Sequence, residues 1–341
     1  MKKSLGVFIM FFVLINCKGQ QRVIDSLKRN LHTGNDTMDL AISMLLCEEY
    51  DEIDKDSAIH YANRYATISQ KLNYDLNYAD GLQRMVIAGS NSAKELGILI
   101  KTEQILEVKT SGKIPPPFYL NIMQVPSSLQ NFQMYSQLIK GRVMNRFAFM
   151  YWSARKFNQA YPYAIQSLQI AEVLEDPKLL VWANLGLGIL VQDSDSSLMY
   201  LKTSAESALR TGYIKDLGLI YDFTAKEYAD RKEYDQQLFY LRVSLQHYLS
   251  REMILSSGWG YLGLGEFYLR SVPNRDSAFF YIRKAFQVAV DANYAPIRYW
   301  SSKDLYDVYK ASGNKDSTFR YVEIMLEARE KVYFRKNENM A

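Results

Sequence analysis

One outline recurs along this chain: an Asp that opens an amphipathic stretch, with a Tyr five residues after it. Asn274-Arg275-Asp276-Ser277-Ala278-Phe279-Phe280-Tyr281-Ile282 carries it most fully. Asn314-Lys315-Asp316-Ser317-Thr318-Phe319-Arg320-Tyr321-Val322 repeats it, and so does Asp54-Lys55-Asp56-Ser57-Ala58-Ile59-His60-Tyr61-Ala62 near the other end. Asp195 with Tyr200 and Asp235 with Tyr240 keep the spacing. From Asp195 to Asp235 is 40 residues, from there to Asp276 is 41, and on to Asp316 is 40. A fixed period in this range constrains the chain to an array of like units, each burying its apolar face against its neighbours.

The period of the apolar residues settles the class of unit. Apolar side chains recur at i, i+3 and i+4, and strict alternation is scarce, so the array is all-α. With 48% hydrophobic residues and only 8 Pro and 17 Gly in 341, the chain has enough apolar content for a continuous core. The 26 Tyr and 16 Phe fall on the repeated helix faces, which reads as core packing before it reads as an aromatic binding platform. The net charge is +4, Lys2 and Lys3 included, and no basic run marks a nucleic-acid partner. The chain has two cysteines, Cys17 at a processing site and Cys47, so no internal disulfide is expected and helix packing must supply the stability.

In chain order, residues 1–16 read as an export signal, with Lys2-Lys3 followed by an apolar run from Leu5 to Ile15 too short to span a bilayer. Leu14-Ile15-Asn16-Cys17 is similar to a lipobox, which would make Cys17 the lipidated first residue. Asn16 departs from the small residue usual there, and ordinary cleavage after Gly19 is the alternative. Both endings predict an exported protein, periplasmic or anchored as a lipoprotein, touching membrane only through an N-terminal lipid. Residues 20–35 are a lead-in with a short helix near 23–31. Helix pairs then fill residues 36–341. First helices are expected near 37–50, 77–90, 128–152, 178–191, 214–230, 255–270 and 296–311. Second helices follow near 56–72, 94–109, 157–174, 195–210, 235–250, 276–291 and 316–334. The recurring Asp suits an N-cap or first-turn position, where a carboxylate meets free N–H groups and the positive end of the helix dipole. Tyr61, Tyr163, Tyr200, Tyr240, Tyr281 and Tyr321 are expected at one interior position, with Ile100 filling it in the second unit. The period lengthens once, at residues 111–128, where Pro115-Pro116-Pro117 and Pro126 predict a loop between units.

Tyr261-x-x-Leu264-Gly265-x-x-Tyr268 resembles the tetratricopeptide pattern W-x2-L-G-x2-Y, with Tyr for Trp. Trp182-x-x-Leu185-Gly186-x-x-Ile189 keeps the Trp, while Tyr221-x-x-Thr224-Ala225-x-x-Tyr228 and Met144-x-x-Phe147-Ala148-x-x-Tyr151 are looser copies. Positions 1, 4 and 8 of the pattern share one helical face, and the small residue lets the partner helix approach. The resemblance implies a right-handed α-solenoid of about seven helix pairs. The 40-residue period exceeds the family's 34, so longer helices are expected, and a HEAT-like array is the alternative. Residues 303–316 and the stretch from Glu327 to Phe334 resemble the end of the extracytoplasmic tetratricopeptide region of Bacteroidetes sensor histidine kinases. That likeness implies sensing; the chain itself holds no kinase sequence.

Motifs of chemistry are weak by comparison. Gly258-Trp259-Gly260-Tyr261-Leu262-Gly263 satisfies G-x-G-x-x-G but overlaps the repeat motif, where helix-packing glycines account for it. The acidic cluster Glu48, Glu49, Asp51, Glu52, Asp54 and Asp56 lacks the Gly and terminal Glu of a calcium loop. His32, His60 and His247 stand apart. No enzyme and no cofactor is expected. The expected function is a scaffold that binds a protein or peptide on its concave face, through exposed first-helix residues such as Lys226, Glu227, Asp230, Lys303 and Asp307. Their mixed signs favour a polypeptide over a polyanion. The alternative is a sensory module of a two-component-type system with a separate output domain.

Overall fold

The computed structural model describes residues 20–31, 34–51, 53–86, 93–109 and 111–337. The expected export signal, residues 1–19, and Cys17 with it lie outside the described residues. Among the described residues there are sixteen α-helices and no strand. They run α1 Gln20–Arg29, α2 Asp36–Tyr50, α3 Lys55–Lys71, α4 Asp75–Arg84, α5 Ala93–Val108, α6 Pro117–Ile122, α7 Phe132–Ser153 and α8 Phe157–Leu174. There follow α9 Pro177–Leu190, α10 Ser194–Thr211, α11 Leu217–Asp230, α12 Tyr234–Ser250, α13 Ile254–Glu266, α14 Arg275–Asp291, α15 Ala295–Ala311 and α16 Lys315–Asn337. A π-turn, Phe267–Ser271, ends α13.

Two local devices start and couple these helices. The recurring Asp is a first-turn residue, and the side chain that caps sits two residues earlier. Asp54, Asp193, Asn274 and Asn314 accept from the backbone N–H of Asp56, Ser196, Ser277 and Ser317 at 3.1, 2.9, 3.0 and 3.0 Å. Asp56, Asp195, Asp276 and Asp316 then meet the positive end of the dipole from inside the first turn.

The second device is a stacked tyrosine pair across each of several helix pairs. Tyr50 lies on Tyr61, Tyr151 on Tyr163, Tyr228 on Tyr240, Tyr268 on Tyr281 and Tyr309 on Tyr321, with centroids 5.5, 5.7, 5.4, 5.9 and 5.4 Å apart. Their ring planes are within 18° of parallel. The second-helix tyrosine is therefore half-buried, held between rings, and is not the interior residue its spacing suggests. The interior position is the next one along, where Ala62, Ala164, Leu201, Leu241 and Ile282 are all buried. Tyr281→Ala should lower stability by about 2 kcal/mol, below the full cost of a large core side chain, because one ring edge stays wet. Tyr281→Phe should change it by less than about 0.5 kcal/mol. Urea unfolding of the two variants checks both figures.

The chain divides into two compact units, one of residues up to 87 with 97–143, the other of residues 88–96 with 144 onward. In the first unit the extra segment is more than a loop. Residues 112–116 lie outside any helix, and Pro117 then opens α6 at the first helical position, where its missing N–H costs nothing. Leu120, Ile122, Met123, Val125 and Leu129 are buried, and the Asn35 amide donates to the Tyr119 hydroxyl at 3.0 Å. The segment completes the core of this unit.

The same unit holds a buried polar cluster. Asp80, 1% exposed, accepts from Arg84 Nε at 2.8 Å, Gln83 Nε2 at 2.9 Å and Arg142 Nη1 at 3.4 Å. Arg84 also reaches Glu48 at 2.9 Å. Burial works to raise the Asp80 pKa, but the two guanidiniums outweigh it and hold the carboxyl below its ordinary value. Beside it the Asn77 amide donates to both the Tyr65 and Tyr135 hydroxyls, at 2.8 and 3.0 Å. Burial pushes both phenols up, so they stay protonated.

Candidate functional site

In the second unit, three first helices present a large apolar side chain outward at one equivalent position. Leu219 on α11, Trp259 on α13 and Trp300 on α15 are 38, 38 and 42% exposed. They are spaced 40 and 41 residues apart, the period of the repeat itself. The motif positions beside them are consumed by packing. Leu264 and Phe267 join Leu241 and Ala225 in one buried cluster, and Leu262 joins Ile297, Ala285 and Ala289 in the next. A side chain one helical step from those rows joins neither cluster; Trp300 meets the edge of Tyr299 and the Lys303 side chain.

Between Trp259 and Trp300 opens a cavity of about 530 Å³ whose apolar floor is Ala225, Leu241, Leu262 and Phe267. Its polar lining is Asp222 and Lys226 from α11, Gln237 from α12, and Glu266 and Arg270 from the end of α13. The π-turn after Glu266 carries Arg270, whose guanidinium bridges Glu266 at 3.2 Å and the buried Asp304 of α15 at 2.6 Å. Burial pushes the Asp304 carboxyl up to about 6, with Glu266 adding to the rise and Arg270 opposing it. Asp222 also stands at about 6, raised by burial and restrained by the hydroxyls of Ser244 and Tyr248, the latter donating to Oδ2 at 2.8 Å. In the lining, Asp222 Oδ1 and Gln237 Oε1 complete no hydrogen bond of good geometry, and neither does Oδ2 of Asp304, which lies outside the lining.

The residues expected from sequence fall around this cavity unevenly. Lys226 lines it, exposed, with Asp230 one turn on at 4.0 Å. Glu227 accepts from the Ser194 hydroxyl at 3.2 Å and is engaged at the start of α10. Lys303 lies over the Trp300 ring at 5.6 Å. Asp307 is half-buried one turn further along α15, outside the lining residues. Sequence reasoning passed over Asp222, Gln237, Trp259, Arg270, Trp300 and Asp304. One signal was present: Trp259 and Trp300 keep the repeat's own period yet lie off its motif positions. The glycine run Gly258, Gly260 and Gly263 stands inside α13, against Ile297 and Val288, Leu245 and Leu241 respectively, with no strand-to-helix turn. Among the described residues no group of three or more His, Cys, Asp or Glu is placed to hold a metal ion, and no helix is long and apolar enough to cross a membrane.

No family model and no curated protein matches this chain. Solved structures do. A Rap protein complexed with competence and sporulation factor superposes with a TM-score of 0.53 at 13% identity, over 78% of each chain. A STAND-class signal transduction ATPase with a tetratricopeptide repeat sensor, from Pyrococcus horikoshii, gives 0.52 at 13% identity, over 92% of this chain and 52% of its own. The fold is tetratricopeptide-like. In this TPR-like array the cavity described above belongs to the first-helix face of the second unit.

Proposed function

We propose that this chain is a non-enzymatic scaffold that holds a protein or peptide segment on the first-helix face of its TPR-like repeats. The observation that carries this is the row Leu219, Trp259 and Trp300, one exposed apolar residue per repeat, with the cavity between the two tryptophans. Exposed tryptophans around a pocket of mixed polarity are what interface hot spots are made of. Neighbouring helices of one layer lie about 8–10 Å apart, and an extended peptide rises about 3.3 Å per residue. Every third residue of a bound strand would thus meet one member of the row. Charge of both signs, from Lys226 and Arg270 to Glu266 and Asp222, suits a polypeptide better than a polyanion, which favours one sign. The similar Rap structure holds a bound factor and the similar STAND protein uses its repeats as a sensor, which supports a binding role and leaves a sensory module with a separate output as the second reading.

Selection of displayed random dodecapeptides on the purified chain is expected to yield binders. Trp259→Ala and Trp300→Ala should each weaken them tenfold or more, about 1.4 kcal/mol, with urea unfolding unchanged. Binders indifferent to both changes, or an empty selection, would count against the proposal.

We further propose that the chain is exported and carried on a lipid at Cys17. Mass spectrometry of the mature N-terminus should find an acylated Cys17; an unmodified chain starting at Gln20 would show the ordinary cleavage instead.

A further inference from the structure

We propose that the cavity between Trp259 and Trp300 receives the cationic head of an arginine or lysine side chain in the bound segment. This rests on the peptide-binding reading above and names what that site recognises. Gln237 is nine-tenths buried, lines the cavity and leaves Oε1 unpaired. Asp222, with the Ser244 and Tyr248 hydroxyls as its neighbours, and Glu266 add carboxylates to the same lining. Buried acceptors left without a donor are costly, and a ligand that brings donors recovers that cost.

The charges already present point the same way. Arg270 is committed to Glu266 and Asp304 through two ion pairs, and Lys303 is drawn over Trp300. Lys226, at the rim, is 4.0 Å from Asp230, and the carboxyls in the lining are Asp222 and Glu266. A carboxylate ligand would meet those acids, and a purely apolar one would leave the Gln237 acceptor unpaired. A guanidinium offers five donors in a rigid fork and a flat face for an indole ring, so arginine suits the cavity better than lysine.

The probe is the displayed dodecapeptide library, selected on the whole chain. The expected result is enrichment of Arg, then Lys, at one position. Resynthesised binders with citrulline there, which keeps the shape and loses the charge, should bind at least tenfold more weakly. Against Glu266→Gln or Gln237→Leu that citrulline penalty should shrink several-fold, while unfolding of both variants stays like that of the parent. Binders lost on Trp259→Ala but showing no basic preference, or an acidic one, would overturn this inference and leave the peptide-binding reading standing. A citrulline penalty unchanged in both variants would place the basic residue elsewhere and overturn it too. An empty selection would remove both.

Discussion

Asp80→Ala is expected to destabilise the first unit by about 3–5 kcal/mol, the range for removing one partner of a buried charge cluster. The carboxylate is 1% exposed and joins Arg84 and Arg142, so its loss strips two buried guanidiniums of the anion between them. Glu48 still reaches Arg84, but from a more exposed position, and compensates only in part. Asp80→Asn keeps the shape and should cost less. The pH dependence follows from the direction of the shift. The folded pKa of Asp80 lies below its ordinary value. Its contribution is therefore fully present above the unfolded carboxyl pKa of about 3.9 and is lost as pH falls through the lower folded value. Urea unfolding at pH 7 and at pH 3 reads both effects: the gap between parent and Asp80→Asn should narrow at the lower pH. A loss under about 1 kcal/mol for the alanine variant at pH 7, the scale of an exposed pair, would mean the cluster contributes little.

Gly81→Ala should cost about 2–3 kcal/mol, the scale of a forced steric insertion. A Cβ at Gly81 would stand 2.8 Å from the Ala66 Cβ, 2.9 Å from its Cα and 3.0 Å from its N. None of these atoms belongs to a flexible side chain, so α3 and α4 must move apart. Alanine's better helix propensity returns only about 1 kcal/mol, and the clash decides the sign. Gly97 on α5 is the control, since nothing lies within 4 Å of its missing Cβ. Gly97→Ala should stabilise by about 0.5–1 kcal/mol. Thermal unfolding of the two single variants would show opposite shifts; equal shifts would refute the packing argument.

How far the sequence reached is clear from particular residues. The 40-residue spacing located the helix pairs, because a repeat must present its packing face at a constant interval. It misjudged Tyr281, since helical periodicity cannot tell a residue facing the core from its neighbour facing a stacked ring. Asp80 and Arg142 were invisible for a different reason. They lie 62 residues apart, and nothing local marks two charges as partners inside a core. The tryptophan cavity was half legible. Lys226 was found because it is polar and exposed, whereas nothing in the helical spacing tells whether Trp259 and Trp300 face the core or the solvent. Gln237 and Asp304 needed the packed helices, since their role depends on what fails to reach them.

The segment after the triple proline bears on how the chain acquires its shape. In a pure repeat array each unit touches only its neighbours, so ordering can begin anywhere and spread along the array. The second unit largely keeps to that, with the Arg270–Asp304 link spanning 34 residues and one longer reach, the edge-on Trp152–Phe223 pair, spanning 71. The first unit does not. Asn35 waits for Tyr119, 84 residues away, and Asn77 for Tyr135, 58 away. Such closures lose chain entropy before they return any contact energy, which slows the step. A ribosome releasing this polypeptide would have to emit residues 117–129 before the early helices could settle, whereas the later pairs could order almost as they emerge.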